Sequence, residues 1–124
     1  MRDVADYYAE EGYVVLVPDL FWRFEPHIEL GYGEEDFGKA FGYFQKFDVD
    51  QSIRDTADAL KVLRERPEQA GKVGALGFCL GGKLAYLTAA RTDVDAAVCY
   101  YGVGLEDALD EAKDATCPMV FHFA

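Results

Sequence analysis

The sequence predicts an α/β fold, a mostly parallel sheet flanked by helices. Two patterns predict it. Helical and strand-like segments alternate along the chain, and the strand-like segments are continuously apolar rather than alternating in polarity. A strand apolar on both faces belongs in a parallel sheet with helices packed on either side. A third observation lies at one junction, where the apolar run ending at Phe78 breaks into "CLGG" and a new helical pattern begins.

Each element has its own signal. Residues 2–11 read as a helix with Val4, Ala5, Tyr8 and Ala9 on one face and Gly12 as its stop. "YVVLVPDLF" is expected as a buried strand closed by Pro18. Residues 22–48 suggest a loop and a short helix on which Phe37, Phe41 and Phe44 share a face. Tyr32 and the acids Glu34, Glu35 and Asp36 are expected in a solvated loop. Residues 50–66 form an amphipathic helix, with Ile53, Ala57, Leu60 and Leu63 at helical spacing. "KVGALGF" is a second strand, followed by a helix from about Leu80 with Leu84 and Leu87 facing inward. "DAAVCYYG" is a third strand, residues 106–113 a short acidic helix, and "PMVFHFA" a fourth strand. The expectation is about four strands and four to five helices in one domain spanning residues 1–124.

Composition excludes several classes. A chain of 124 residues, 51% hydrophobic and 15% aromatic, fills one core but not two. A formal net charge of −11 opposes binding to nucleic acid or to anionic membranes. The longest apolar runs are strand-length, too short to cross a bilayer. The charged start "MRDVADYYAEEG" lacks the apolar core of a signal peptide, so a cytoplasmic location is expected. Three cysteines without a CxxC pair argue against a disulfide framework and against a zinc site. Cys99 and Cys117 fall in or beside apolar segments and are expected to be buried structural thiols.

Cys79 is different. "GFCLGG" fits the nucleophile-elbow pattern, with Gly77 and Gly81 two residues before and after it. The nucleophile sits at a strained backbone angle on a sharp strand-to-helix turn, so its side chain projects above the sheet. Strand and helix then cross so closely that the flanking positions must lack bulk, and Gly82 and Ala85 extend that contact. A helix N-terminus favours the thiolate through its dipole, and the Leu80 N–H is placed as an oxyanion donor. The only serine, Ser52, lies near the start of an amphipathic helix and does not compete for the role.

These residues, together with "GYVVLVPDLF", "KFDVDQSIRDTADAL", "CYYGVGLED" and "CPMVFHF", resemble the dienelactone hydrolases, cysteine members of the α/β-hydrolase fold, over nearly the whole chain. The resemblance implies hydrolysis of enol lactones or related esters through an acyl-cysteine, with no metal and no organic cofactor. It implies Cys79 as nucleophile, Leu80 as oxyanion backbone, and Tyr100 and Tyr101 as pocket-lining residues. The family's lactone-binding arginine and tyrosine map near Phe37 and Phe41, an apolar lining that would not favour a carboxylate-bearing lactone.

The resemblance also implies absences. His27 precedes the elbow, and His122 reads as a strand residue with a structural partner. The family's acid and histidine are expected beyond Ala124, and a loop glutamate with the second oxyanion donor before Met1. The chain is thus expected to be the central part of a hydrolase domain, with impaired turnover. The family places a further strand between "YVVLV" and "KVGALGF", so an open edge is expected. Pairing with a second chain, or domain swapping, is the expected remedy. Two rival readings are a non-catalytic remnant and a flavodoxin-like small-molecule binding module. The absence of hydroxyl residues in "GFCLGG" counts against the second.

Overall fold

A computed structural model describes residues 1–31 and 33–124; the expectation for Tyr32 lies outside them. The chain forms helix α1 (Arg2–Glu10), α2 (Glu34–Gln45), α3 (Val49–Arg64), strand β1 (Gly74–Phe78) and α4 (Leu80–Arg91). Strand β2 (Ala96–Tyr100), a 3₁₀ helix (Leu105–Asp114) and strand β3 (Met119–His122) complete it. The sheet runs β1-β2-β3 with all neighbours parallel. In register, Phe78 lies beside Tyr100 and Tyr100 beside His122.

Helix α4 is the hub. It packs on β1 and β2, and against α3 and the 3₁₀ helix. Leu84, Ala85, Tyr86, Leu87, Thr88 and Ala89 are all buried, so this helix is apolar almost all round rather than on one stripe. Ile53 and Leu60 of α3 and Ala97 and Cys99 of β2 close on it. The Tyr86 hydroxyl donates to the Ala108 carbonyl at 2.7 Å and the Thr88 hydroxyl to the Leu84 carbonyl at 2.7 Å, giving both buried polar tips a partner. Helix α3 starts as a capped helix should, with the Asp48 carboxylate accepting from the Gln51 N–H at 2.8 Å.

Three expectations need correction. "YVVLV" is not a buried strand: residues 13–17 belong to no ladder, and Tyr13, Val14, Val15, Leu16 and Val17 are all exposed. Continuous apolarity marks a segment suited to burial, but a strand exists only with a partner, and β1 pairs solely with β2 among the described residues. Among the described residues, helices cover only one face of the sheet. Met119 and Phe121 pack toward α4 with Ala97 and Cys99, whereas Val120 and His122 on the other face are exposed. Third, Glu34, Glu35 and Asp36 open α2 instead of lying in a loop. Acidic side chains in a first turn complement the positive end of the helix dipole, so a helix start explains them better.

The segment after Pro18 is tied to α3 by charge. Arg23 makes a two-pronged bond to Asp55, at 2.7 and 3.0 Å, and lies 4.4 Å over the Trp22 ring. Gln51 donates to the same carboxylate at 2.8 Å. The Arg23 guanidinium holds the Asp55 carboxyl at about 2, below its ordinary 3.8. A depressed carboxylate contributes stability present above its unfolded value and lost as pH falls through its folded one. The Asp55 contribution is therefore expected to be complete above about pH 4 and to fade toward pH 2. Thermal melts from pH 6 to 2 check this. Wild type should lose its advantage over Asp55→Asn across that window; parallel curves would show that the pair is stabilised in neither direction.

Candidate active site

The elbow is assembled from backbone. Cys79, between β1 and α4, sits at φ 55° and ψ −116°, a left-handed setting costly for a residue with a Cβ. Its N–H donates to the Tyr100 carbonyl at 3.0 Å, and the next backbone step is anchored in turn, the Tyr101 N–H reaching the His122 carbonyl at 2.7 Å. The Cys79 carbonyl accepts from the Gly82 and Lys83 N–H groups at 3.0 and 3.2 Å. That leaves the N–H groups of Leu80 and Gly81, the first two of α4, without a backbone acceptor among the described residues. Two free donors beside an exposed thiol can hold a developing oxyanion.

The glycines divide the work unevenly. A Cβ on Gly77 would lie 1.9 Å from the Gly81 carbonyl oxygen, so β1 and α4 touch through backbone there. A Cβ on Gly81 itself would meet nothing within 4 Å. Gly82 carries the second contact: its Cβ would lie 2.6 Å from the Tyr100 oxygen and 3.0 Å from the Gly102 Cα. Sequence reasoning paired Gly77 with Gly81 as equals; the close approach instead joins Gly77 to the helix and Gly82 to the loop after β2. Gly102 was missed. Its Cβ would come within 3.1 Å of Gly82 and 3.0 Å of the Lys83 nitrogen. The doubled glycines of "YGVG" were the available signal. Tyr101, at φ 37°, starts that loop, and the Val103 N–H reaches back to the Cys79 carbonyl at 3.4 Å.

Tyr100 stacks between Phe78 and His122, with ring centroids 4.8 and 4.4 Å apart. Its side chain therefore belongs to an aromatic row across the sheet, while its carbonyl serves the elbow. Tyr101 is exposed at the ends of the strands, 6.1 Å from Phe78. His122 is a strand residue stacked on Tyr100, and His27 lies in a loop where its N–H donates to Asp19. Neither imidazole hydrogen-bonds Cys79. Phe37 and Phe41 are 71% and 52% exposed and line neither of the two cavities described below. Of the other thiols, Cys99 is buried and burial pushes it up to about 11, whereas Cys117 is half-buried.

A groove of about 170 Å³ opens beside the elbow, lined by Phe44, Phe47, Val49, Leu80, Lys83, Val103, Gly104 and Asp107. A larger hollow of about 320 Å³, between Pro18, Trp22, Ser52 and Asp55, shares no residue with the elbow.

Cys79 sits at a positive φ on a strand-to-helix turn over a parallel sheet, the backbone geometry of the elbow in α/β-hydrolases. The chain matches the dienelactone hydrolase family over residues 1–124 and belongs to it. It is 39% identical to a carboxymethylenebutenolidase of Pseudomonas putida over 98% of its own length and 52% of that protein. With carboxymethylenebutenolidase 1 of Cupriavidus pinatubonensis it shares 35% identity over 98% of this chain and 53% of the relative. A mouse carboxymethylenebutenolidase homolog is 30% identical over 99% of the chain and 48% of that protein. The chain thus spans about half the length of the curated relatives it matches. None of its helices is long and apolar enough to cross a membrane, among the described residues.

Proposed function

We propose that these residues form the nucleophile-bearing part of a hydrolase acting on ester or enol-lactone bonds. The observation that carries this reading is Cys79 at φ 55° with the Leu80 and Gly81 N–H groups unclaimed beside it. The Cys79 thiolate attacks the carbonyl carbon, and its electron pair forms the new C–S bond as the π pair moves to oxygen. The oxyanion is held by the two N–H donors, each such donor contributing about 10²–10³ in rate. Collapse expels the alcohol or enolate oxygen with its bonding pair and leaves an acyl-cysteine. Water then cleaves the thioester, and its proton must go to a base. Neither His27 nor His122 is bonded to the elbow, so acylation is expected to outrun deacylation in this chain. A reducing, cytoplasmic setting suits three free thiols.

Mixing with p-nitrophenyl acetate under stopped flow tests the reading. The expected trace is a burst of one nitrophenolate per chain and then a slow phase, both absent in Cys79→Ala. A linear trace that Cys79→Ala reproduces would sink it.

A further inference from the structure

A hydrogen bond from outside α4 holds the peptide that carries the oxyanion donor. We infer that the loop after β2 aims that donor, with the Val103 N–H as its hold on the elbow and Gly102 as the positioning residue that lets it come near; this rests on the reading of Cys79 as nucleophile. The Leu80 N–H and the Cys79 carbonyl share one peptide unit, planar and trans, so they point in opposite directions. Whatever fixes the carbonyl therefore fixes the donor. The carbonyl accepts from the Gly82 and Lys83 N–H groups at 3.0 and 3.2 Å, bonds that belong to the first turn of α4 itself. The Val103 N–H, at 3.4 Å, reaches the same oxygen from another segment.

The loop is built to stay within that reach. Its root is anchored, the Tyr101 N–H donating to the His122 carbonyl at 2.7 Å, while the Tyr100 carbonyl takes the Cys79 N–H at 3.0 Å. Both backbone polar groups of Cys79 are thus held from the end of β2. Tyr101 at φ 37° and Gly104 at φ 64° turn the chain twice within four residues. Between them Gly102 lies against α4, where a Cβ would come 3.0 Å from the Lys83 nitrogen, 3.1 Å from the Gly82 carbonyl carbon and 3.1 Å from Leu105 Cδ1. Gly102 is not in the left-handed region, so alanine there costs space and not backbone strain. Lys83 and Gly82 are the residues whose N–H groups hold the Cys79 carbonyl, so a loop pushed off them lengthens the Val103 bond and frees the peptide to rotate.

Acylation needs the aimed donor and alkylation does not. p-Nitrophenyl acetate gathers charge on its carbonyl oxygen as the thiolate adds. Iodoacetamide loses iodide with its bonding pair as sulfur bonds the methylene carbon, and no oxyanion forms. The test measures both rates at Cys79, by peptide mass, in wild type, Val103→Pro and Gly102→Ala. The first variant deletes the N–H and the second displaces the loop. Each should slow acylation about tenfold, a fraction of the about 10²–10³ that a whole oxyanion donor contributes, and leave alkylation at the wild-type rate. Val103→Ala, which restores the N–H, should restore most of the acylation rate. If one variant does not fold by circular dichroism, the other carries the comparison. Equal slowing of both reactions, or unfolding of both variants, would assign the loop to the fold and overturn the inference. Acylation at the wild-type rate in a folded Val103→Pro or Gly102→Ala chain would overturn it too, with Cys79 left standing as nucleophile. A wild-type chain alkylated at Cys79 but never acylated would overturn the nucleophile reading itself.

Discussion

Gly77→Ala is expected to destabilise the fold by about 3 kcal/mol or more, beyond the ordinary range for one added methyl in a packed core. The new Cβ would lie 1.9 Å from the Gly81 oxygen, 2.1 Å from its carbon and 2.8 Å from the Gly82 nitrogen. All three are backbone atoms, so no rotamer change relieves the clash. The strand must back away from α4, and α4 is the helix on which β1, β2, α3 and the 3₁₀ helix all pack. With ~5–15 kcal/mol of total stability typical of a small domain, such a loss brings the variant near unfolding. Gly81→Ala is the informative control, because its Cβ meets nothing within 4 Å. In a helix, Gly→Ala is worth about 0.5–1 kcal/mol of stabilisation. Urea melts followed by circular dichroism decide: equal damage from the two substitutions would contradict this geometry.

The second large effect is at Cys79 and has two parts. Removing the thiol in Cys79→Ala should abolish acyl-adduct formation at the elbow, and Cys99, buried and raised to about 11, should not replace it. Stability should respond to the backbone instead. At φ 55° and ψ −116° alanine keeps the strain, whereas glycine relieves ~1–3 kcal/mol of it and loses part of that gain to its freer unfolded chain. Cys79→Gly is therefore expected to be about 1 kcal/mol more stable than Cys79→Ala. Thermal melts of the two variants measure the difference. An alanine variant as stable as the glycine variant would mean the elbow is unstrained.

The sheet core and the elbow were legible because their signals are local. "GALGF" followed by "CLGG" records a strand end, a turn and a helix start in nine residues, and the structure has β1, Cys79 and α4 there. "YVVLV" misled because pairing is non-local: apolarity says that the segment suits burial, not what lies beside it. The role of Gly102 was hidden for the same reason, since only the approach of two segments in space makes its missing Cβ matter. The phenylalanines of α2 show a finer limit. Phe37, Phe41 and Phe44 share helical spacing, and Phe41 stacks on Phe44 at 6.4 Å. Yet only Phe44 lines the groove, joined there by Phe47 and Val49 from the turn into α3. Spacing fixes which side chains share a face; the connection to the next helix fixes which of them reach the site.

The most direct test of the central claim, that the elbow presents Cys79 as a nucleophile, is peptide mapping by mass after brief exposure to p-nitrophenyl acetate. One acetyl group per chain, confined to the peptide that contains Cys79 and missing from the Cys79→Ala chain, is the predicted result. An unmodified chain that circular dichroism shows to be folded, or acetyl groups only on Cys117 or on lysines, would contradict it.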